Sequence, residues 1–292
     1  MIHDLETSKK KVLKAKWPWK CAASHNLIAV TTEGSGLRLY DHAGALVQIV
    51  SDSNNAFCVA FHPRYPSIIA LGFKDGCVRL WDMNAQSYVS SLAEHTKRIT
   101  SIRFSDDGRL FLSSDDSTGS ILTLGDHFQV AARVKLEGHS KAVTDILPLV
   151  SLDQCVSCGY DLTIRVWDCR TGACLRTLRE HTTFVTCLAL HPSGEYFASG
   201  SLDQAVVIWS CQTFEVLSRL PLPDGVQSIV FGSDKTLHVG VHEHGVTSGH
   251  AFSGEIGSVI IPATSTVFGL ALGTLWSRSF LLLQLKHALA LT

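Results

Sequence analysis

Two cysteines, Cys155 and Cys158, have the Cys-x-x-Cys spacing that zinc sites and thiol redox centres use. Such chemistry needs both sulfur atoms on one side of the chain, where they can share a metal ion or form a disulfide. The residues around them predict a β-strand, in which residues three apart point to opposite faces of the sheet. We therefore expect two separate buried thiols at these positions and no metal or redox site.

A dense group of four histidines invites a metal hypothesis: His238, His242, His244 and His250. His238 and His242 would share one face of a strand, but at about 3.3 Å per residue they stand about 13 Å apart, too far to ligate one ion. Solvated turn histidines are the alternative. We predict no metal and no cofactor.

Motifs of common catalytic sites are missing from the sequence, including the GxxxxGK[ST] phosphate loop, HExxH and GxSxG. Without a nucleophile, base or metal set at a defined spacing, we predict that the protein is not an enzyme and has no small-molecule substrate.

The charges of the chain are balanced, with 25 Lys and Arg against 26 Asp and Glu. Binding of nucleic acid through its phosphates needs a basic surplus, so we interpret the N-terminal lysines as a solvated tail and a charged outer strand. Nine scattered cysteines and a charged N-terminus favour an intracellular location, cytoplasmic and/or nuclear, over secretion. Residues 256–277 carry no charge, yet they include Pro262 and three glycines, so we favour buried strands over a membrane span.

The element that positions these residues is a repeat. One strand pattern recurs as LRLYD at 37–41, VRLWD at 78–82, IRVWD at 164–168 and VVIWS at 206–210. Tyr40 and Trp81 are 41 residues apart, and Trp167 and Trp209 are 42 apart, a period that indicates a stacked or radial array. Each unit divides into four short strands with polar turns, which predicts an all-β fold.

A second marker runs in phase with the strand pattern. His139, Asp161 and Trp167 recur as His181, Asp203 and Trp209, with separations of 22 and 6 residues in both units. On these residues the chain resembles the WD-repeat β-propeller family, whose units carry Gly-His near the start and Trp-Asp near the end. The resemblance implies a buried structural tetrad in each unit: His139, Ser157, Asp161 and Trp167, then His181, Ser199, Asp203 and Trp209.

The resemblance and the length of 292 residues predict one propeller of seven four-stranded blades. We place a basic tail at 1–11 and the propeller at 12–292, with clear repeats over about 18–220 and degenerate blades over about 221–292. A strand at 12–16 would close the last blade beside strands at 267–273, 280–285 and 288–292. A truncated or alternatively spliced end is the competing interpretation.

The unit around His95 departs from the pattern. Ser117 to Ser120 would lengthen the turn after Asp116, and Gly125 stands where the other units have an aromatic residue. We expect this blade to be looser than its neighbours.

Relatives in this family are mostly non-catalytic platforms, so the resemblance implies a scaffold that binds other proteins or peptide segments through loops on the face of the disc. The candidate partner-binding residues are Lys74, Arg98, Lys141, Tyr160, Phe184 and Leu202. Ordinary exposed turn residues are the alternative interpretation.

A second functional hypothesis rests on the segment 155–170, which ends in Trp-Asp-x-Arg. It resembles the box with which propellers that act as substrate receptors of cullin-RING ubiquitin ligases dock a damage-binding adaptor. The matching positions are Asp161, Trp167, Asp168 and Arg170, and an exposed arginine there could pair with an acidic partner surface.

Overall fold

The computed structural model describes residues 2–4, 10–11, 18–24, 26–34, 36–50, 53, 55–232, 236–242, 245–252, 256–261, 266–275 and 278–286. These residues form 28 β-strands and two short 3-10 turns, at Asp126–Phe128 and Val150–Leu152. The expected all-β propeller is confirmed: the strands assemble into separate antiparallel four-stranded sheets rather than one continuous sheet. Within the described ranges, no helix has the length and apolar character needed to span a membrane.

Six blades each consist of four strands that follow one another along the chain and pair antiparallel in sequence order. Blades 1 to 3 are β3 to β6 (Pro18–Ala23, Leu27–Thr32, Gly36–Asp41, Leu46–Val50), β7 to β10 (Ala56–Phe61, Ile68–Phe73, Cys77–Asp82, Ser87–Ala93) and β11 to β14 (Ile99–Phe104, Leu110–Ser114, Thr118–Leu124, Val130–Glu137). Blades 4 to 6 are β15 to β18 (Val143–Leu149, Gln154–Gly159, Ile164–Asp168, Cys174–Leu178), β19 to β22 (Val185–Leu190, Tyr196–Ser201, Ala205–Ser210, Val216–Pro221) and β23 to β26 (Val226–Phe231, Thr236–Val241, Gly245–His250, Ile256–Ile261).

The first strand of each blade is the innermost, because it packs against the first strands of the neighbouring blades. The second strand of each blade is buried along almost its whole length. In blade 5, Tyr196–Ser201 is buried at every position, since both faces of that strand are covered by neighbouring blades. The last strand is the most exposed: in blade 4, four of the five residues of Cys174–Leu178 are exposed. The core therefore lies between the blades, around the innermost strands.

The expectation of seven four-stranded blades is corrected to six blades, each built from four consecutive strands. The remaining strands are β1 (Ile2–Asp4), β2 (Lys10–Lys11), β27 (Thr266–Leu275) and β28 (Arg278–Lys286). They pair antiparallel in the order β2-β1-β28-β27, in one sheet that we call the terminal sheet. Two strands of this sheet fall within the segment expected to be a tail, residues 1–11. The strands expected at 12–16 and 288–292 lie outside the described residues.

Threonine hydroxyls link the inner strands of successive blades. Thr100 Oγ1 donates to the Val143 carbonyl at 2.6 Å, Thr144 to Val185 at 2.6 Å, and Thr186 to Val226 at 2.7 Å. Each threonine lies within a register shift of its strand pair, where a bulge frees the hydroxyl to reach the next blade. These bonds were not predicted from the sequence, although the threonines recur with the repeat.

Candidate functional site

The tetrad proposed for blade 4 forms one hydrogen-bonded chain. His139 Nδ1 lies 2.9 Å from Asp161 Oδ2, His139 Nε2 lies 2.7 Å from Ser157 Oγ, and Trp167 Nε1 donates to Ser157 Oγ at 2.8 Å. Burial raises the pKa of the Asp161 carboxyl, but hydrogen bonds from His139 and Thr163 outweigh it, and the pKa lies well below its usual range. The carboxylate is therefore charged and accepts a hydrogen bond from His139 Nδ1.

The corresponding residues of blade 5 have the same geometry. His181 Nδ1 lies 2.9 Å from Asp203 Oδ2, His181 Nε2 lies 2.8 Å from Ser199 Oγ, and Trp209 Nε1 donates to Ser199 Oγ at 2.9 Å. The histidine, serine and tryptophan side chains of both tetrads thus have hydrogen-bond partners, which lowers the cost of burying them, whereas Asp203 Oδ1 in blade 5 has none among the described residues.

Blade 3 completes a similar chain by a different route. His95 Nδ1 lies 3.0 Å from Asp116 Oδ2, while its Nε2 lies 2.9 Å from Ser120 Oγ on the third strand, rather than from a serine on the second. Contrary to expectation the turn after Asp116 is not lengthened, because the third strand already begins at Thr118. Beyond Gly125, Phe128 packs on Tyr65 of blade 2 at 5.5 Å between ring centroids.

Blade 2 shows the cost of losing the tetrad. Trp81 is buried, yet its Nε1 has no hydrogen-bond partner among the described residues, and Leu71 stands four residues before Asp75 where blades 4 and 5 have a serine.

A repeated backbone hydrogen bond places the candidate partner-binding loops at one end of the disc. In four blades, the backbone N–H of the residue after the second strand donates to the backbone carbonyl of the residue before the first strand. The pairs are Lys74 to Asn55, Asp115 to Arg98, Tyr160 to Ala142, and Leu202 to Phe184. We call this end, where the chain passes from one blade to the next, the upper face, and the opposite end the lower face. All six candidate residues lie on or beside these upper-face pairs.

The Tyr160 cluster is formed by Lys141, Tyr160, Phe184 and Leu202. The rings of Tyr160 and Phe184 stack at 4.6 Å between centroids, with an interplanar angle of 29°, and Lys141 Nζ lies 5.9 Å from the Phe184 ring. Tyr160, Phe184 and Leu202 remain 39%, 38% and 37% exposed. Three large apolar side chains and one cation from blades 4 and 5 thus share an accessible surface.

The Trp19 cluster contains the other two candidates, Lys74 and Arg98, with two aromatic residues that the sequence analysis missed. Lys74 Nζ lies 4.8 Å from the ring of Trp19, and the Arg98 guanidinium lies 4.4 Å from the ring of Phe57. The Trp19 and Phe57 rings are 5.2 Å apart. Arg98 also pairs with Asp115 at 2.8 Å. Phe57 is a strand residue rather than a loop residue, which is why the turn pattern did not indicate it.

The residues matched to the Trp-Asp-x-Arg box divide between the interior and the lower face. Trp167 is 1% exposed and Asp161 is held in the tetrad, so neither can contact a docked protein, which corrects their assignment as docking residues. Asp168 caps its own turn through the N–H groups of Arg170 and Thr171. The Arg170 side chain is 82% exposed and meets Asp153 at 2.6 Å.

The cysteines and histidines singled out in the sequence lie apart. Cys155 is in the apolar cluster around Trp167, whereas the Cys158 sulfur lies 3.2 Å from Thr144 Oγ1, and both thiols are free. His238 Nδ1 hydrogen-bonds to Ser248 Oγ, and His242 Nδ1 lies 3.5 Å from Asp224. No group of three or more His, Cys, Asp or Glu in the described part of the chain is arranged to hold a metal ion. His244 lies outside the described residues, as does the side chain of His250.

Comparisons with known proteins agree with the repeat. Residues 132–168 and 172–210 match the family described as "WD domain, G-beta repeat", and residues 8–136 match the "Vps8 beta-propeller" family.

Three curated relatives match just over half of the chain. The nuclear distribution protein nudF of Aspergillus niger is 27% identical over 165 residues, which cover 56% of this chain and 37% of the relative. The nuclear distribution protein PAC1 of Arthroderma otae is 30% identical over 174 residues, 56% of this chain and 37% of the relative. Protein hir1 of Schizosaccharomyces pombe is 26% identical over 197 residues, 57% of this chain and 21% of the relative. The chain thus spans well under half the length of these relatives.

Proposed function

The chain belongs to the WD-repeat β-propeller family, and from that premise we propose that it is a non-catalytic scaffold that assembles a multiprotein complex through its upper-face loops. The observation that carries the proposal is the Tyr160 cluster, where Tyr160 and Phe184 stack on each other with more than a third of each side chain exposed. Rigid exposed aromatic residues beside a cation are typical anchors of protein interfaces.

The partners of such a surface are other proteins or peptide segments. The Trp19 cluster extends the surface over blades 1 to 3, and its aromatic rings are already fixed by Lys74 and Arg98. Fixed side chains lose little conformational entropy on binding, so the surface is prepared for a partner. We also propose an intracellular location, cytoplasmic and/or nuclear, which is consistent with relatives that are named nuclear distribution proteins.

The test is proximity labelling in cells with three chains. The first is wild type, and the second carries Arg98→Ala, Lys141→Ala, Tyr160→Ala and Phe184→Ala on the upper face. The third is a control with Leu175→Ala and Leu217→Ala, which removes exposed apolar side chains from outer strands.

We expect a defined set of proteins to be labelled by the wild type and the control but not by the upper-face variant, with circular dichroism melting curves to show that all three chains fold. The same labelled set from all three folded chains would contradict the proposal.

A second candidate function, substrate receptor of a cullin-RING ubiquitin ligase, is favoured by one observation: Arg170 is the most exposed of the box residues and is oriented by Asp153. An oriented, exposed guanidinium can make two parallel bonds to a carboxylate of an adaptor. Because Asp161 and Trp167 are buried, any docking through this box depends on Arg170 and its turn.

Affinity capture tests this second function with the wild type, Arg170→Ala, and Arg176→Ala as a control for loss of an exposed arginine on a neighbouring strand. The receptor hypothesis predicts the adaptor in the wild-type and Arg176→Ala samples and its loss from Arg170→Ala. Absence of the adaptor from all three samples refutes this function and leaves the scaffold proposal untouched.

A further inference from the structure

The innermost strands enclose a central channel of about 420 Å³. This volume falls in the range of small-molecule sites, about 300–1,000 Å³. Among the described side chains that line it, the charged ones are Lys20, Arg103 and Asp145. The sequence of β27, the innermost strand of the terminal sheet, contains no charged residue. The charge of the channel wall is therefore set by these three groups.

Arg103 and Asp145 neutralise each other. Arg103 Nη2 lies 2.8 Å from Asp145 Oδ2 and also donates to the Leu188 carbonyl at 2.9 Å, while Nε reaches Asp145 Oδ1 at 3.3 Å. Ser101 Oγ and the Leu188 N–H donate to the same carboxylate. Burial raises the pKa of Asp145, but Arg103 and then Lys20 hold it below its ordinary value, so the carboxylate is charged. Arg103 Nη1 keeps its two hydrogens without a protein acceptor among the described residues.

Lys20 supplies a positive charge that no described acid neutralises. Its backbone is fixed by Thr31, which accepts from the Lys20 N–H and donates to the Lys20 carbonyl, both at 3.1 Å. The ammonium has no ion pair or hydrogen bond within the described part of the chain. Lys20 lines the same channel as Cys58, Asp145 and Cys187 of blades 2, 4 and 5 and therefore contributes an unpaired positive charge to it.

The other polar groups of the channel leave that charge uncompensated. Burial raises the pKa of the Cys58 and Cys187 thiols to about 12 against the opposing pull of Lys20, so both are neutral at physiological pH. Ser228 is 7% exposed, and its hydroxyl has no hydrogen-bond partner among the described residues. Three sets of donors, on blades 1, 3 and 6, thus face one cavity without an acceptor.

We propose that the central channel binds a small oxyanion, a phosphate or carboxylate group, through the Lys20 ammonium, the free Arg103 Nη1 and the Ser228 hydroxyl. An anion there would neutralise the excess charge and accept from donors that lack partners, which is the situation that makes charge-assisted hydrogen bonds strong. The residue patterns of the sequence predicted no small-molecule substrate and gave no indication of such a ligand. The proposal does not depend on either function proposed above, because the channel is separate from the Tyr160 cluster and from Arg170.

The probes are inorganic phosphate, followed by ³¹P line broadening, and ¹³C-labelled acetate, followed by ¹³C line broadening, at an ionic strength held constant with sodium chloride. The two probes distinguish a phosphate from a carboxylate ligand. The chains are wild type, Lys20→Gln, Lys20→Arg, Ser228→Ala and the control Lys97→Gln, which removes an exposed lysine outside the channel.

We expect saturable broadening of at least one probe by wild type, Lys20→Arg and Lys97→Gln. Lys20→Gln should bind about tenfold more weakly or worse, the fold-change of one charge-assisted hydrogen bond. If Lys20→Gln does not fold, Ser228→Ala serves in its place, since it removes one donor and adds no charge. Two results would overturn the proposal: equal binding by wild type, Lys20→Gln and Ser228→Ala, or no saturable binding of either probe to the wild type.

Discussion

Removal of the Asp203 carboxylate measures how much the blade 5 tetrad contributes to stability. Asp203 Oδ2 accepts from His181 Nδ1 at 2.9 Å, from the Thr182 N–H at 3.0 Å and from Arg219 Nη2 at 3.4 Å. In Asp203→Ala the buried His181 donor loses its acceptor, at a cost of about 1–3 kcal/mol. Thr182 and Arg219 are exposed and can bond to water, so they add about 1 kcal/mol at most. We expect the free energy of unfolding to fall by about 1–4 kcal/mol.

The assay is urea unfolding followed by tryptophan fluorescence, with Asp75→Ala as the matched control. Asp75 holds the same place in blade 2, but it accepts from the Cys77 N–H and lies 3.7 Å from Arg79, with no histidine to support. Its loss should cost less than about 1 kcal/mol because the site is open to water. Equal losses in the two variants, or an unchanged Asp203→Ala, would refute the reasoning that the histidine–carboxylate bond is the main contribution.

Three further predictions concern pH, the threonine bonds and the thiols. Burial, only partly opposed by Asp116 and Asp203, lowers the pKa of His95 and His181 below the ordinary value of 6.5. The unfolded chain therefore binds more protons at these histidines, and the free energy of unfolding should fall as the pH drops below about 6.5. Urea unfolding from pH 8 to 5 checks this, and a His181→Gln chain whose free energy of unfolding depends on pH as steeply as that of the wild type would contradict it. Thr144→Val removes the donor to the Val185 carbonyl and should cost about 1–2 kcal/mol, whereas Thr171→Val on an exposed turn should cost less; equal losses would rule out the stabilising role of the bond between blades. Because burial raises the pKa of Cys58 and Cys187 to about 12, a thiol reagent at pH 8 should modify the exposed Cys174 first, and mass spectrometry that finds Cys58 or Cys187 labelled as fast as Cys174 would disprove this.

The spacing of residues in the sequence predicted the propeller because the tetrad residues of blades 4 and 5 occupy the same sequence positions in each repeat. A histidine 22 residues before an aspartate, with tryptophan six residues later, brings the three side chains together only when four short strands fold in the same way twice. The same spacing placed the upper-face loops, so the six candidate residues were found at one end of the disc.

The rest could not be predicted for physical reasons that differ from site to site. In blade 3 the hydroxyl that meets His95 comes from Ser120, on a neighbouring strand, because cross-strand register and not chain position decides which side chain is near. Strands β1 and β2 are three and two residues long, with Ile2 as their one apolar residue, so they carry no periodicity of their own. Their place in a sheet depends on the pairing of β1 with β28. Trp167 of the box motif is buried because its indole N–H donates to Ser157 within the tetrad, so the side chain is not exposed for docking.

The strands of blade 4 connect the Tyr160 cluster on the upper face to Arg170 on the lower face. The third strand, Ile164–Asp168, has five residues, which at about 3.3 Å each separate the two ends by about 16 Å. Two proteins bound at these ends would not compete for the same atoms, so their binding free energies would add. Blade 4 would hold the two binding sites at a fixed distance from each other. A single short blade could in this way support a three-component complex in which the two outer components never touch.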